Sequence, residues 1–136
     1  DLVCALEVVE HVADLDLFIK SISQVLQEGG TLIMSTLNRT PKSYLLGIVG
    51  AEYLSGIVPI GTHDWNQFVK PEELMQCLAK HGIEVIDVAG VKYNPITQIS
   101  SIDYNDLSVN YMLAARKSVK RPSKTESVQD SKKDAL

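Results

Sequence analysis

Three side chains able to bind a metal ion or move a proton follow a short apolar segment at the start of the chain. Glu7, Glu10 and His11 come directly after residues 2–6, Leu-Val-Cys-Ala-Leu, a composition typical of a buried parallel strand. If the chain turns helical here, the three residues lie at i, i+3 and i+4 on one face. Two carboxylates and an imidazole on one face predict a site for a divalent cation, for which Mg²⁺, Mn²⁺ and Zn²⁺ are all chemically suitable.

Two other interpretations of this segment remain open. His11 can act by itself as a general base, because the ordinary pKa of histidine lies near neutrality. Alternatively, Glu7 and Glu10 are solvated and His11 caps a loop, with no chemistry at all. The segment lies just past the carboxyl end of a predicted strand, where open α/β sheets bind their ligands, and this position favours a functional site.

Four further side chains are candidates for substrate contacts. Asn38 and Arg39 follow the second predicted strand and should face the same crevice, although a simple polar turn would have the same composition. His63, in a loop rich in polar and aromatic residues, can orient a substrate hydroxyl or make ordinary loop hydrogen bonds. Tyr93 ends a later strand and either lines the pocket or begins a turn.

Residues 44–59 form an apolar segment with a single charge, Glu52. Sixteen residues interrupted by three glycines are too few for a transmembrane helix. The segment is therefore interpreted either as a lid packed over the site or as an interfacial segment that dips into a bilayer. The candidates for membrane contact are Tyr44, Leu45, Leu46, Ile48, Val49, Tyr53, Leu54, Ile57 and Val58.

The elements that position these side chains are predicted from hydrophobic spacing and turn residues. Asp14 is a candidate N-cap for the first helix, and Gly90 indicates a bulge or a bend in the third strand. The element order β-α-β-α-α-β-β predicts an α/β, Rossmann-like fold whose parallel sheet ends in an antiparallel β-hairpin. The predicted strands cover 2–6, 31–35, 83–91 and 108–116, and the predicted helices cover 15–27, 42–53 and 71–81.

Length and charge suit one domain, or part of one, over residues 1–117, followed by a tail over 118–136 that is predicted to be disordered. The chain has 136 residues and a net charge of −4, of which residues 117–136 contribute +3 and residues 1–116 contribute −7. An acidic body argues against nucleic acid as a partner. Cys4 and Cys77 form no CxxC pattern, so they are predicted to be buried free thiols rather than zinc ligands.

Five segments occur together in a combination that is more specific than any one of them. They are EVVEHV at 7–12, GGTLIMSTLNRT at 29–40, VGAEYLSGIVPIGTHDW at 49–65, KYNPIT at 92–97 and VNYML at 109–113. In this order they resemble the ubiquinone-biosynthesis O-methyltransferases of bacteria and mitochondria. The resemblance runs from Asp1 to about Arg116, and it implies the C-terminal half of a class I S-adenosylmethionine-dependent methyltransferase fold.

The resemblance implies methyl transfer from S-adenosylmethionine to ring hydroxyls of polyprenylated substrates of the dihydroxybenzoate and demethylubiquinol type. It places Leu6 in the cofactor pocket and matches Glu7, Glu10 and His11 to a metal set, with Mg²⁺ as the expected ion and Glu10 and His11 as catalytic residues. A cation there would chelate both oxygens of a catechol, lower the pKa of the attacking oxygen and hold it in line with the methyl group.

The resemblance also implies that residues 42–61 contact a membrane, because a polyprenyl tail leaves the substrate in the bilayer. The expected location is peripheral, on the matrix face of the mitochondrial inner membrane, with a bacterial cytoplasmic membrane surface as the alternative. Other ubiquinone-biosynthesis proteins are expected partners.

Two competing functions are a different small-molecule class I methyltransferase and a non-catalytic scaffold subunit with the same fold. The glycine-rich cofactor turn and the ribose-binding acid of such folds are expected upstream of Asp1. The chain by itself is therefore expected neither to bind the cofactor tightly nor to catalyse.

Overall fold

Five strands and three helices make up the part of the chain that the computed structural model describes, which is residues 1–46, 48, 59, 64–94 and 96–119. Short 3-10 turns at Val9–His11 and Trp65–Gln67 precede α1 and α3 respectively. The strands are β1 Leu2–Leu6, β2 Thr31–Leu37, β3 Ile83–Asn94, β4 Ile99–Asp103 and β5 Asn110–Lys117. The helices are α1 Leu15–Val25, α2 Pro41–Ser43 and α3 Pro71–Lys80.

Helix α1 begins where the sequence predicts and ends two residues earlier. The Asp14 carboxylate accepts a hydrogen bond from the backbone N–H of Leu17 at 3.0 Å, which confirms Asp14 as the N-cap. At the other end the N–H of Leu26 donates to the carbonyl of Ile22 at 2.9 Å. Gly29 then adopts φ +75°, a left-handed conformation that glycine adopts without steric cost. This turn connects α1 to β2.

The sheet has the strand order β1-β2-β5-β3-β4. β1 and β2 are parallel, and β5 lies antiparallel between β2 and β3. Asn110 of β5 is in register with Leu37 of β2 and with Val91 of β3, so the carboxyl ends of β2 and β3 lie at one edge of the sheet. This arrangement confirms the predicted α/β fold with a parallel sheet closed by an antiparallel hairpin.

The main core lies between one face of the sheet and helices α1 and α3. Alternate residues of β1, β2, β3 and β5 point towards these helices, as the pleat requires. Most side chains of this cluster are fully buried, and burial of this kind supplies most of the free energy of folding. Its members are Ala5, Val9, Ile19, Ile22, Leu26, Leu32, Met34, Val69, Leu74, Leu78, Ile83, Tyr111, Leu113 and Ala115.

The opposite face of the sheet is open among the described residues. On β1 the side chains of Leu2 and Leu6 are 60% and 49% exposed, and Cys4 between them is also exposed. β1 was predicted to be buried on both faces with Cys4 inside, and this prediction is wrong because α1 and α3 pack on the same face. Cys77 is half-buried on α3.

The β3–β4 region differs most from the prediction. The break expected after Asn94 leads into a fifth strand, β4, which pairs with β3 from Gly90↔Asp103 to Asn94↔Ile99. The bulge of β3 lies between Val85 and Asp87, not at Gly90. Short polar strands such as β4, Ile-Ser-Ser-Ile-Asp, give little periodic signal, which explains why the sequence did not indicate this one.

Gly90 is required for a different reason, a close approach of backbone. A Cβ atom at this position would lie 1.8 Å from the carbonyl oxygen of Asp106. Any larger residue would therefore push the 103–109 segment away from β3.

The helix predicted at 42–53 begins at α2, where Thr40 accepts a hydrogen bond from the N–H of Ser43 at 3.0 Å. Residues 44–46 and 48 continue it with the wider turn of a π-helix. His63 and most of the 118–136 tail lie outside the described residues, as do Val49, Tyr53, Leu54, Ile57 and Val58. No helix among the described residues is long and apolar enough to cross a bilayer.

Candidate active site

Glu7 leaves β1 in a left-handed backbone conformation, with φ +54°. Its N–H donates to the carbonyl of Ser35 at 3.0 Å, which ties the end of β1 to β2. Its carboxylate accepts hydrogen bonds from the Ser35 hydroxyl at 2.6 Å and from Asn110 Nδ2 at 3.1 Å. A non-glycine residue at positive φ is uncommon, and here hydrogen bonds from two neighbouring strands hold it.

Glu10 is the buried carboxyl of the site, with 3% of its surface exposed. The hydroxyl of Thr36, itself fully buried, donates to Glu10 Oε2 at 2.6 Å. Burial raises the pKa of Glu10, and the nearby charge of Glu7 raises it further. The Thr36 hydrogen bond opposes both effects because it stabilises the charged form.

The helical face predicted for Glu7, Glu10 and His11 does not form as such. The chain makes only a 3-10 turn over Val9–His11, and Glu7 precedes it in its left-handed conformation. His11 is exposed to solvent. Among the described residues the ligand atoms of these three side chains are not all within 4.8 Å of one another. The three residues share one end of the sheet, but the structure does not bring them together as a metal site.

Of the predicted substrate contacts, Asn38 has the most suggestive environment. It is buried, and its Nδ2 donates to the carbonyl of Leu107 at 2.9 Å, while its Oδ1 has no hydrogen-bond partner. Asn110 Oδ1 is likewise buried without a partner. Native proteins rarely leave buried acceptors unpaired, so each of these two amide oxygens is a candidate acceptor for a ligand donor.

Arg39 and Tyr93 are placed less favourably for contact with a substrate. The guanidinium of Arg39 forms an ion pair with Glu73 on α3. Tyr93 is 57% exposed on β3, opposite Ser100 of β4 and beyond Val91 at the same edge of the sheet as the site. Their roles, and that of His63 outside the described residues, stay predictions.

The described part of the apolar segment divides into exposed and buried residues. Tyr44, Leu45 and Leu46 each leave about half of the side chain exposed. Ile48 is buried in a small cluster with Leu37 and Phe68, so the prediction that Ile48 contacts a membrane is wrong.

Lys42, which lies just before this apolar segment, already has an ion-pair partner. The ammonium of Lys42 pairs with Asp106 at 2.8 Å.

Sequence reasoning missed three polar side chains that hold the carboxylates. Ser35 and Asn110 lie within the strands predicted at 31–35 and 108–116, and Thr36 follows the first of them, but none of the three is among the predicted site residues. Two consecutive hydroxyls at the end of a buried apolar strand are the signal that could have identified Ser35 and Thr36. Asn110 gives no such signal, because only the antiparallel register of β5 places it beside Glu7.

Taken together, the end of β1 and β2 holds one buried carboxyl of raised pKa beside a second, hydrogen-bonded carboxyl. Such a pair can accept a proton from a substrate hydroxyl or share a cation. Leu6, half-exposed at the end of β1, offers apolar surface next to the pair.

A family model described as a methyltransferase domain matches residues 1–88. The chain belongs to this methyltransferase family. It is 44% identical over 117 residues to the ubiquinone biosynthesis O-methyltransferase of Saccharophagus degradans, covering 86% of this chain and 50% of that protein. It is 46% identical over 117 residues to the protein of the same name from Bartonella quintana, covering 86% of this chain and 47% of that protein. The resemblance found in the sequence is confirmed.

The methyltransferase fold is also seen in solved structures. A Thermotoga maritima S-adenosylmethionine-dependent methyltransferase, a possible histamine N-methyltransferase, is similar with a TM-score of 0.63 at 17% identity, covering 86% of this chain and 56% of that one. A Methanosarcina mazei S-adenosylmethionine-dependent methyltransferase is similar with a TM-score of 0.55 at 18% identity, covering 88% of this chain and 60% of that one. The chain spans about half the length of the curated relatives that it matches.

Proposed function

We propose that the protein containing this chain is an O-methyltransferase of ubiquinone biosynthesis. It would transfer a methyl group from S-adenosylmethionine to a ring hydroxyl of a polyprenylated catechol or quinol. One observation carries the proposal: the buried Glu10 carboxyl, hydrogen-bonded to Thr36 and beside Glu7, at the carboxyl end of a parallel strand. It occurs in a chain 44% identical to a relative named for this activity.

The chemistry requires a proton acceptor. S-adenosylmethionine supplies an electrophilic methyl group when bound. Methylation of a ring hydroxyl at its oxygen requires loss of the hydroxyl proton, so the site would need a group that accepts it. Glu10 accepts this proton, because its raised pKa makes it a stronger base than an exposed carboxylate. The charge of Glu7 raises the pKa of Glu10, and the hydrogen bond from Thr36 lowers it.

Cofactor contact is proposed for Leu6. It lies at the carboxyl end of β1 directly before Glu7, and half of its side chain is exposed. The two strand-to-helix connections after β1 and β2 contain no glycine over residues 7–14 and 38–40, so the described residues supply no glycine-rich turn for the cofactor. Leu6 therefore contributes to only one side of the cofactor pocket.

Divalent-metal binding by Glu7, Glu10 and His11, with Mg²⁺ as the expected ion, is a separate proposal. Its support is the like charge of Glu7, which raises the pKa of Glu10 and which a cation held by these side chains would counteract. The ligand atoms of these three side chains are not all within 4.8 Å of one another, so at least one of the side chains would have to move to complete the site. No step of the proposed mechanism depends on a metal.

Peripheral membrane contact is proposed for Tyr44, Leu45 and Leu46. Three consecutive large apolar side chains, each about half exposed, are unusual on a surface that faces only water. A prenylated substrate gives a reason for such a surface, since its tail stays in the bilayer. The predicted location on an inner membrane, mitochondrial or bacterial, and the predicted partnership with other ubiquinone-biosynthesis proteins are proposed on this ground alone.

The test uses the complete natural protein that contains this chain. Methyl transfer from S-adenosylmethionine to a prenylated catechol is measured for the unsubstituted protein, for Glu10→Gln, and for Glu84→Gln as a matched exposed control on β3. Glu10→Gln is expected to lower kcat at least about a hundredfold with little change in KM, the usual effect of losing a general base. Glu84→Gln is expected to leave both constants unchanged.

A second arm repeats the assay after chelation and after adding Mg²⁺ back. Activity that survives chelation supports Glu10 as the direct base and removes the metal proposal. Activity that is lost and then restored by Mg²⁺ supports the metal set of Glu7, Glu10 and His11. Activity on other phenols or amines but not on the prenylated catechol points to a different methyltransferase, and none on any acceptor points to a scaffold.

A further inference from the structure

Three potential metal ligands meet where the start of α1 packs against the end of α3. Asp16 lies in the first turn of α1, Cys77 lies in the last part of α3, and His81 is its C-cap residue. The Nε2 atom of His81 is 2.8 Å from Asp16 Oδ1, and the Cys77 sulfur is 3.9 Å from the same oxygen. All three ligand atoms lie within 4.8 Å of one another.

These spacings are close to those of a tetrahedral zinc site. Zinc bonds of about 2.0 Å to nitrogen and oxygen and about 2.3 Å to sulfur, at tetrahedral angles, separate neighbouring ligand atoms by about 3.3 to 3.7 Å. The His81–Asp16 contact has to widen by about half an ångström and the Cys77–Asp16 contact has to shorten by a few tenths to reach that geometry. Side-chain rotations of this size require no change in the helices.

The chemistry of the three donors also suits a zinc ion. A thiolate, an imidazole and a carboxylate together are ligands of a borderline metal, whereas Mg²⁺ prefers oxygen alone. His81 contributes a side chain that is only 14% exposed, and Asp16 one that is 48% exposed. The cluster is thus enclosed on the side of the helices and open towards solvent, which leaves room for a water as the fourth ligand.

The ammonium of Lys80 pairs with the Asp16 oxygen that a bound metal ion would contact instead. Its ammonium lies 2.8 Å from Asp16 Oδ1, the same oxygen that contacts His81, and its side chain is 65% exposed. Hydrogen bonds from Lys80 and His81 lower the pKa of Asp16 to about 2, so Asp16 is ionised at neutral pH. Among the residues that the structure describes, the ammonium of Lys80 pairs only with Asp16, so it can move into solvent when a divalent ion binds.

We propose that Asp16, Cys77 and His81 form a binding site for zinc or a similar borderline transition-metal ion, which joins α1 to α3. The site shares no residue with Glu7, Glu10 and His11, and it does not depend on the proposed methyl transfer. Binding replaces the thiol proton of Cys77 and the contact of Lys80 with Asp16.

The first test is a Co²⁺ titration of the complete natural protein that contains this chain, purified without a histidine tag. Thiolate coordination gives a sulfur-to-cobalt charge-transfer absorption in the near ultraviolet, which we expect to saturate at one equivalent and to vanish when Zn²⁺ is added. Cys77→Ser is expected to abolish the absorption. Cys4→Ser, which removes the exposed thiol of β1, is the matched control and is expected to keep it.

The second test uses the competition with Lys80. Lys80→Gln is expected to tighten Zn²⁺ binding about two- to fivefold, the range that corresponds to losing one surface ion pair. His81→Gln is expected to weaken binding at least about tenfold, with the affinities read from competition against a chromophoric chelator. Both variants keep the helical termini and should retain the circular dichroism of the unsubstituted protein.

The contrary results are equally specific. Absence of the charge-transfer absorption in the unsubstituted protein, or its persistence in Cys77→Ser, overturns the proposal. Loss of the absorption in Cys4→Ser assigns the metal to another thiol and overturns it as well. If Lys80→Gln and His81→Gln alter thermal stability with no metal uptake in any variant, the cluster is an ion-pair network between two helices and nothing more.

Discussion

At the scale of single residues, burial makes Glu10 a stronger base and the hydroxyl of Thr36 moderates this effect. Burial and the neighbouring Glu7 raise the pKa of Glu10, and the 2.6 Å hydrogen bond from Thr36 counteracts them. A hydrogen bond to a charged group contributes about 1.5 to 3 kcal/mol. Removal of this one hydroxyl should therefore raise the pKa of Glu10 further.

Thr36→Val tests this directly, because valine has the same shape and lacks the hydroxyl. Without the donor, the charged form of Glu10 is less stable and its pKa rises further. The acidic limb of the pH profile of methyl transfer is expected to move to higher pH, with activity recovering at alkaline pH. Thr36→Ser keeps a hydroxyl and is expected to leave the limb in place. An unmoved acidic limb in Thr36→Val would show that Glu10 is not the titrating base.

The candidate residues could be found in the sequence, but their supports could not. Glu7 and Glu10 were located because charged residues directly follow an apolar strand, a position that periodicity alone reveals. Their different environments, one exposed and one buried, depend on Ser35, Thr36 and Asn110 from other strands. Long-range register of this kind is invisible in local patterns, because a shift of one residue would turn Thr36 to the other face.

At the scale of elements, α3 attaches to the sheet through a few apolar side chains. Leu78 is fully buried against the main core, whereas Met75 on the same helix is 38% exposed. Leu78→Ala is expected to lower the free energy of unfolding by about 2 to 5 kcal/mol, through lost transfer energy and a cavity. Met75→Ala is expected to cost less than about 1 kcal/mol.

Urea unfolding of the two variants, followed by circular dichroism, measures both free energies. Both substitutions leave a helix former, so helix propensity does not separate them. Equal losses would mean that α3 does not pack on the sheet through Leu78.

Elements with strong periodicity were predicted well, and those governed by tertiary contacts were not. α1 and α3 have an apolar stripe and distinct ends at Asp14 and Pro71, so their positions followed from the sequence. β4 is short and mostly polar, and it exists because β3 extends to Asn94 and provides an edge for pairing. The bulge between Val85 and Asp87 likewise results from pairing with β5. The local sequence contains no residue that would predict it.

At the scale of the whole molecule, the sheet has one covered face and one open face among the described residues. The open face has a shallow apolar cavity of about 120 Å³ between β2, β3, β4 and β5, with Ile33, Ile102 and Met112 in its lining. The exposed side chains of Leu2 and Leu6 continue this apolar surface along β1. Sheets in α/β domains normally have both faces covered, and the chain spans about half the length of the curated relatives that it matches. The open face is therefore where further protein has room to pack.

Neighbouring residues of β5 point to opposite faces and provide a matched test of this asymmetry. Leu113 is 1% exposed and faces α1 and α3, while Met112 lines the open cavity. In the chain of residues 1–136, Leu113→Lys buries an unpaired charge and is expected to abolish cooperative unfolding. Met112→Lys lets the ammonium reach water and is expected to cost no more than about 1 kcal/mol in urea unfolding.

The outcome also depends on what lies over the open face. If Met112→Lys destabilises residues 1–136 as severely as Leu113→Lys, that face is covered in solution, and sedimentation would show whether a second copy covers it. If Met112→Lys is tolerated in residues 1–136 but unfolds a longer natural protein that contains them, the additional residues pack on this face. The apolar character of Ile33, Ile102 and Met112 then has the same explanation as that of the main core, burial between layers of one domain.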